Sequence, residues 1–339
     1  METGNPDSNS FRVLFVCSGR SRETISPVVS AQGESISRAG AVVDYFPIGG
    51  KGFLSYMGAV ARLRKRLRVM RPDIIHAHYA LSALVALAAR KRTPLVVSFM
   101  GDDILGTNRR NGTTRMTSRI FSFVNTLVAR WFYDFVIVKS PEMNGRLRPG
   151  TMAEVIPNGV DMKTFFPMDR ADAQKRAGFE SGKRNFLFIG DPSRPEKNYN
   201  LASEAVRLAG PENQLHIIRD KKPQELAFFF SAADAVIMTS FHEGSPNIIK
   251  EAMACNCPVV STDVGDVRIL SEGVTGHFLT DYDSSDVAAN LIAASQFRSV
   301  SRETNGREKI SELKLDSVSV AELIINIYRK LLQSRQPRS

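Results

Sequence analysis

No apolar run in this 339-residue chain reaches the roughly 18–20 residues that a membrane-spanning helix needs. The longest stretches, Leu81–Ala89 and Phe121–Val128, are too short and end in charge. The opening METGNPDSNS is polar and has no apolar core of a secretory signal. Residues 1–10 therefore read as a disordered lead-in, and the chain is expected to stay in the cytoplasm. Cysteine is scarce: Cys17, Cys255 and Cys257. An odd count gives no disulfide framework, and Cys255-Asn-Cys257 has no zinc-site spacing. All three are expected as small buried residues in a reducing compartment. Short repeats and low-complexity tracts are absent. Aromatic residues are not clustered within the basic runs, so nucleic acid is not expected as a partner.

What the chain does have is positive charge, 45 Lys plus Arg against 35 Asp plus Glu, a net +10. That surplus favours an anionic partner such as a sugar phosphate or an acidic membrane. It also has length for two domains. Short apolar strands alternate with helices: FRVLFVC, AVVDYF, DIIHAH, PLVVSF and DFVIV, then NFLFIG, QLHII, AVIM, PVVST and HFLT. Such alternation implies an α/β chain with parallel sheets and helices on both faces. Between Pro149 and Pro167 the rhythm loosens, which reads as a linker. Two doubly wound, Rossmann-like domains are expected, residues 11–165 and 166–316, followed by a helix over 317–335. Ligands of such sheets bind beyond the carboxyl ends of the strands, so two of them facing each other make a cleft.

The stretch SFHEGSPNIIKEAMACNCPVVS places Glu243 and Glu251 with seven residues between them. Pro246 suits the first helical position. Gly244 permits close approach to the backbone. The N–H groups of Ser245, Asn247 and Ile248 at the helix start form an anion site. Glu251 lies inside the helix, about 7–8 Å along its axis. Carboxylates accept hydrogen bonds from hydroxyl pairs, so one elongated ligand with hydroxyls at both ends and a diphosphate between them fits. Without further context, both glutamates also read as ordinary solvated charges. The context is FLFIGDPSRPEKN, where Arg194 and Lys197 stand on a turn after a strand and can clamp a diphosphate leaving group.

With these segments together the chain resembles the family-four retaining glycosyltransferases of GT-B fold. EGSPNIIKE resembles their E-x7-E motif, EAMACNCPVVSTDVG the rest of that signature, and RPEKN the phosphate-binding loop. VIPNGVDMKTFFP resembles the interdomain linker; DIIHAHY and SFMGDD resemble first-domain strand ends. The resemblance covers about residues 11–335. It implies an acceptor domain first and a donor domain second, with the last helix returning to the first domain. It implies that Glu243 contacts the sugar near the reacting carbon, Glu251 the ribose hydroxyls, and Arg194 and Lys197 the diphosphate. The backbone from Gly244 through Ser245, Pro246 and Asn247 to Ile248 would cradle sugar and phosphate. His78 would face the reaction centre, and His76 is read as lying on the other face of the strand, in the core. Gly19, Arg20 and Asp102 are weaker candidates on the acceptor side. Met100 stands where the family often has a histidine, and GDVRIL where it often has GDVRE.

Asp281-Tyr-Asp283 matches a metal-binding D-x-D pattern but is read as a helix cap, Asp283 capping and Asp286 at the third position. No metal and no cofactor are expected, the nucleotide-diphosphate-sugar being the donor substrate. In AVARLRKRLRVMR, Val60, Leu63, Leu67 and Met70 form an apolar stripe beside Arg62, Arg64, Lys65, Arg66 and Arg68. Two readings fit: a helix docked on an anionic membrane surface at the inner face of the cytoplasmic membrane, or a stripe packed on the sheet with solvated arginines. The expected function is sugar transfer to a glycan or a lipid-linked saccharide. The alternatives are a nucleotide-sugar epimerase of the same fold and a catalytically degenerate relative.

Overall fold

The structure is a computed structural model and describes residues 11–19, 21–50, 53–106, 116–180, 182–300 and 303–335. The chain divides into two compact units. The first takes the chain through Leu105, Arg119–Gly159 and the helix from Ser317; the second takes Val160–Asp316.

The first unit holds six parallel strands: β1 (Arg12–Gly19), β2 (Val42–Gly49), β3 (Ile74–His78), β4 (Leu95–Ser98), β5 (Phe135–Val138) and β6 (Ala153–Val155), in the order β2-β1-β3-β4-β5-β6. Strand side chains alternate faces, and here both faces are covered, so the strands read as continuous apolar runs. Leu14, Val16, Ile75, Ala77 and Val97 point to one face, beneath the helices Phe53–Met70, Ala80–Ala89 and Met116–Phe132. Val13, Phe15, Ile74, Val96 and Ile137 point to the other, beneath Pro27–Arg38 and Ser317–Gln333. The terminal helix is fastened there through Tyr328, whose hydroxyl pairs with His76 Nδ1 and whose ring meets Phe11 edge-on.

One expectation needs correction, and one of two open readings is favoured. Ala153–Val155 is not linker but the sixth strand, paired with Val136–Val138. Three residues between Pro149 and Pro157 are too few to show a period in sequence. The crossing into the second unit accordingly falls at Gly159/Val160, not near residue 165. The helix Phe53–Met70 also has no free apolar stripe. Leu63 is fully buried, and Val60, Leu67 and Met70 pack on the same core. Its cations lie outside: Arg64 donates to the Ala88 carbonyl at 2.7 Å, and Arg66 lies 3.6 Å from Asp44. Among the described residues, no helix is long and apolar enough to cross a membrane.

The second unit holds five parallel strands: β7 (Arg184–Ile189), β8 (Asn213–Ile218), β9 (Ala235–Met238), β10 (Val259–Thr262) and β11 (His277–Thr280), in the order β11-β10-β9-β7-β8. Leu187, Val236, Met238 and Val259 face one core, and Phe186, Phe188, Ile237 and Val260 face the other. The chain leaves β7 toward β8 on one side and returns to β9 on the other. The loops after β7 and β9 therefore diverge from the carboxyl edge at the switch point, the usual ligand position in such sheets.

Candidate functional site

The loop after β7 turns through a short 3-10 segment, Pro195–Lys197, before the helix Tyr199–Leu208. The loop after β9 leads into the helix Asn247–Ala254. The two loops are tied together. Phe241 N donates to the Glu196 carbonyl at 2.9 Å, and Thr239 Oγ1 reaches the carbonyls of Lys197 and Asn198 at 3.2 and 3.0 Å. Tyr282 stacks on Phe241 and donates to the Ser240 carbonyl at 3.1 Å. Backbone held this way needs little rearrangement to receive a ligand.

On this frame Lys197 Nζ donates to Glu243 Oε1 at 2.6 Å, and Ser240 Oγ donates to the same oxygen at 2.9 Å. Both side chains are about one-fifth exposed, at 20 % for Lys197 and 19 % for Glu243. Arg194 is half exposed, and its guanidinium lies on Glu196. The helix begins at Asn247 with Pro246 at its cap position, one residue later than the sequence suggested, and has no acid in its first turn. The positive end of its dipole therefore has no acidic side chain of its own helix beside it. Gly265 has φ +63°, and a Cβ there would lie 2.6 Å from the Gly244 carbonyl oxygen. The loop after β10 is thus pressed against Gly244.

Beneath the helix start lies a group that sequence reading missed. Lys250 is 1 % exposed and donates to Ser245 Oγ at 2.9 Å. Ser245 in turn bonds the buried carboxyl of Asp266, whose Oδ1 has no partner. Burial pulls Lys250 down to about 8, against the opposing pull of Asp266 and Glu251. Asp266 is raised, first by burial. Glu251 keeps part of its surface accessible, yet loss of solvation pushes its carboxyl up to about 7, with Lys250 opposing. A lysine before a glutamate in a helix looks like a solvated pair. The only hint was its place among Ile249, Ala252 and Met253, all fully buried. Arg307 holds the far end of this helix, donating to the Ala254 carbonyl at 2.8 Å and to the Phe165 carbonyl at 2.7 Å.

Asp283 caps the helix Ser284–Ser299, accepting from Ser285 N at 2.9 Å and Asp286 N at 3.0 Å, as read. The three cysteines are buried, and burial raises each thiol, Cys17 to about 11.

In the first unit the histidines do not divide as expected. Residues two apart in a strand share a face, and the rings of His76 and His78 stack at 4.3 Å. His78 is 2 % exposed, its Nε2 without a hydrogen-bond partner, and burial followed by the charge of Lys139 pulls it down to about 3. It is held neutral by burial and lies beside His76, at the carboxyl end of β3. At the carboxyl ends of β1 and β3 lies a cavity of about 850 Å³, lined by Ser18, Gly19, Tyr56, Tyr79, Leu81 and Leu84 among others. Gly19 has no room for a side chain, since a Cβ would stand 2.2 Å from the Thr24 carbonyl oxygen. Tyr79, which the sequence did not single out, has φ +77°, a strained backbone for a bulky residue. Asp102 opens the short helix Asp102–Leu105. Its neighbour Asp103, fully buried, accepts from Ala80, Met100 and Gly101 N–H groups, and burial raises it to about 6. Arg20 lies outside the described residues.

The Glycosyltransferase Family 4 model matches residues 8–164, and the Glycosyl transferases group 1 model matches residues 171–296. The chain belongs to glycosyltransferase family 4. It is 26 % identical over 257 residues to a putative teichuronic acid biosynthesis glycosyltransferase, TuaC, of Bacillus subtilis, covering 69 % of this chain and 64 % of that protein. The match thus spans less than two-thirds of that relative. Among solved structures, a sucrose-phosphate synthase from Thermosynechococcus elongatus superposes with TM-score 0.78 at 17 % identity, covering 96 % of this chain and 100 % of that one. Anabaena HepE in complex with UDP-glucose superposes with TM-score 0.73 at 18 % identity, covering 94 % and 100 %. These likenesses establish that the family 4 chain has the GT-B fold class, with two Rossmann-like parallel-sheet units.

Proposed function

We propose that this family 4 chain moves a sugar from a nucleotide-diphosphate-sugar to an acceptor hydroxyl, with retention of configuration and without a metal ion. The observation that carries the reading is the Lys197–Glu243 pair, 2.6 Å apart at the switch point of the second sheet and next to the start of the helix Asn247–Ala254. A cation that neutralises the diphosphate and an acid that takes sugar hydroxyls are thereby neighbours, as a donor with phosphate next to sugar requires. Glu251 takes the ribose hydroxyls. Arg194, already turned to Glu196, exchanges that partner for phosphate oxygens. The backbone from Gly244 to Ile248 cradles the sugar–phosphate link.

The bond from the sugar's C1 to the diphosphate oxygen breaks, and its electron pair leaves with the diphosphate. Lys197, Arg194 and the helix dipole stabilise that charge. The acceptor oxygen bonds C1 on the face the diphosphate vacates, and its proton passes to a phosphate oxygen. The acceptor is a glycan or lipid-linked saccharide of cell-surface polysaccharide assembly. The teichuronic acid relative and the apolar share of the cavity at Tyr56, Leu81 and Leu84 support that class.

A thermal-shift screen of nucleotide sugars, followed by donor turnover with and without oligosaccharide acceptors, tests the reading. The expected result is stabilisation by at least one nucleotide sugar, and product with the anomeric configuration of the donor. Conversion of the donor to an isomer without acceptor would instead make the protein an epimerase.

A further inference from the structure

The helix Met116–Phe132 packs Phe121, Val128 and Ala129 on the core but leaves a second apolar face outside. Its buried positions are Ser122, Asn125, Thr126 and Ala129. Its outward positions are Ile120, Phe123, Val124, Leu127 and Trp131, exposed by 60, 59, 42, 41 and 66 %. A helix on a water-facing surface carries polar residues on its outward face. The outward residues recur at helical spacing and form one continuous stripe, which at 1.5 Å per residue is about 16 Å long. Scattered exposed apolar residues need no explanation, but a contiguous set does.

Cations border the stripe. The helix carries Arg119 and Arg130 and no acid, and Gly145–Met152 adds Arg148 and also Arg146, which lies 3.8 Å from Glu142. Arg148 lies over the ring of Phe123 at 4.5 Å and Arg130 over Trp131 at 4.7 Å. Guanidinium groups held along the edge of an apolar strip can reach lipid phosphates while the rings enter the acyl boundary. A second copy fits less well, because a two-fold contact would crowd the Arg130 and Arg148 guanidinium groups that flank the stripe against those of the other copy.

We propose that the face Ile120–Trp131 is a membrane-contact surface that lies flat in an anionic lipid leaflet. This differs from docking through the basic helix Phe53–Met70, whose apolar side is spent in the core. It rests on the first unit alone and does not depend on the sugar-transfer reading.

Trp131 is the chain's single tryptophan and reports on the surface directly. Vesicles of phosphatidylcholine with phosphatidylglycerol, added to the full-length protein, should shift Trp131 emission to the blue, and lipids brominated in the acyl chain should quench it. Pure phosphatidylcholine should give a weaker shift. The pair Phe123→Ser with Leu127→Ser should lower vesicle flotation by about tenfold or more at unchanged melting temperature, since both residues are exposed. Three results overturn the proposal. One is unchanged emission with anionic vesicles. Another is a blue shift that appears with protein concentration alone, which assigns the face to a second copy. The last is flotation kept by the serine pair but abolished by Arg64→Glu, Lys65→Glu and Arg68→Glu.

Discussion

Glu243 shares one oxygen, Oε1, between the Lys197 ammonium at 2.6 Å and the Ser240 hydroxyl at 2.9 Å. Its side chain is aimed by two donors from two loops. Replacing the carboxylate by an amide keeps the shape and removes the charge. Glu243→Gln should therefore lower sugar transfer by about 100-fold while changing nucleoside-diphosphate affinity only a few-fold. Steady-state transfer rates beside calorimetric titration of the nucleoside diphosphate separate the two effects.

Glu251 should trade stability for function. Its carboxyl is raised from 4.5 to about 7. The folded protein thus holds that proton more tightly than the unfolded chain, so stability falls as pH rises from about 4.5 through 7. Above pH 7 the ionised carboxyl costs about 2 kcal/mol, allowing for its partial access to water. Glu251→Gln should melt higher than the parent at pH 8, with the gain vanishing near pH 4.5, and should bind the nucleoside diphosphate more weakly at pH 8. Melting curves across that range check the first part.

Lys250 acts in the opposite pH range. Its folded value, about 8, lies below the ordinary 10.5. The unfolded chain binds more protons between those limits, so this group makes stability rise with pH there. Lys250→Met should abolish that rise. It should also destabilise by about 1–3 kcal/mol at pH 7, because Ser245 loses its donor and the buried Asp266 the nearby positive charge. Lys250→Met combined with Asp266→Asn should recover part of the loss, which denaturant titration of the three variants measures.

The apolar face of the terminal helix includes a polar contact. Tyr328 and His76 are both fully buried and pair through the hydroxyl and Nδ1. Tyr328→Phe keeps the ring packing and leaves a ring nitrogen unpaired. It should cost about 1–3 kcal/mol and raise amide exchange across Ser317–Gln333 before the rest of the first unit.

Both sheets and ten of their strands were legible because buried parallel strands leave apolar runs that helices separate. β6 was not, being three residues long beside proline. The acids and cations of the second unit could be read because E-x7-E and RPEKN are local, and local spacing survives in sequence. Lys250 and Asp266 could not be paired, since only the fold brings a helix and the loop after β10 together. The face assigned to His76 was wrong for another reason: alternation places i and i+2 on one face, so His76 and His78 lie together. The apolar spacing of the helix Met116–Phe132 is visible in sequence. Which of its apolar residues face outward needed the structure, because periodicity gives a stripe but not the side on which it lies.

The central claim is that the donor's diphosphate lies at the carboxyl edge of the second sheet, against Lys197 and Arg194. Calorimetric titration with the nucleoside diphosphate of the best donor tests it most directly, comparing the parent, Lys197→Ala and Arg194→Ala. The account expects affinity to fall about tenfold or more for Lys197→Ala and less for the more exposed Arg194→Ala, at unchanged melting temperature. Equal affinity in all three proteins would contradict it.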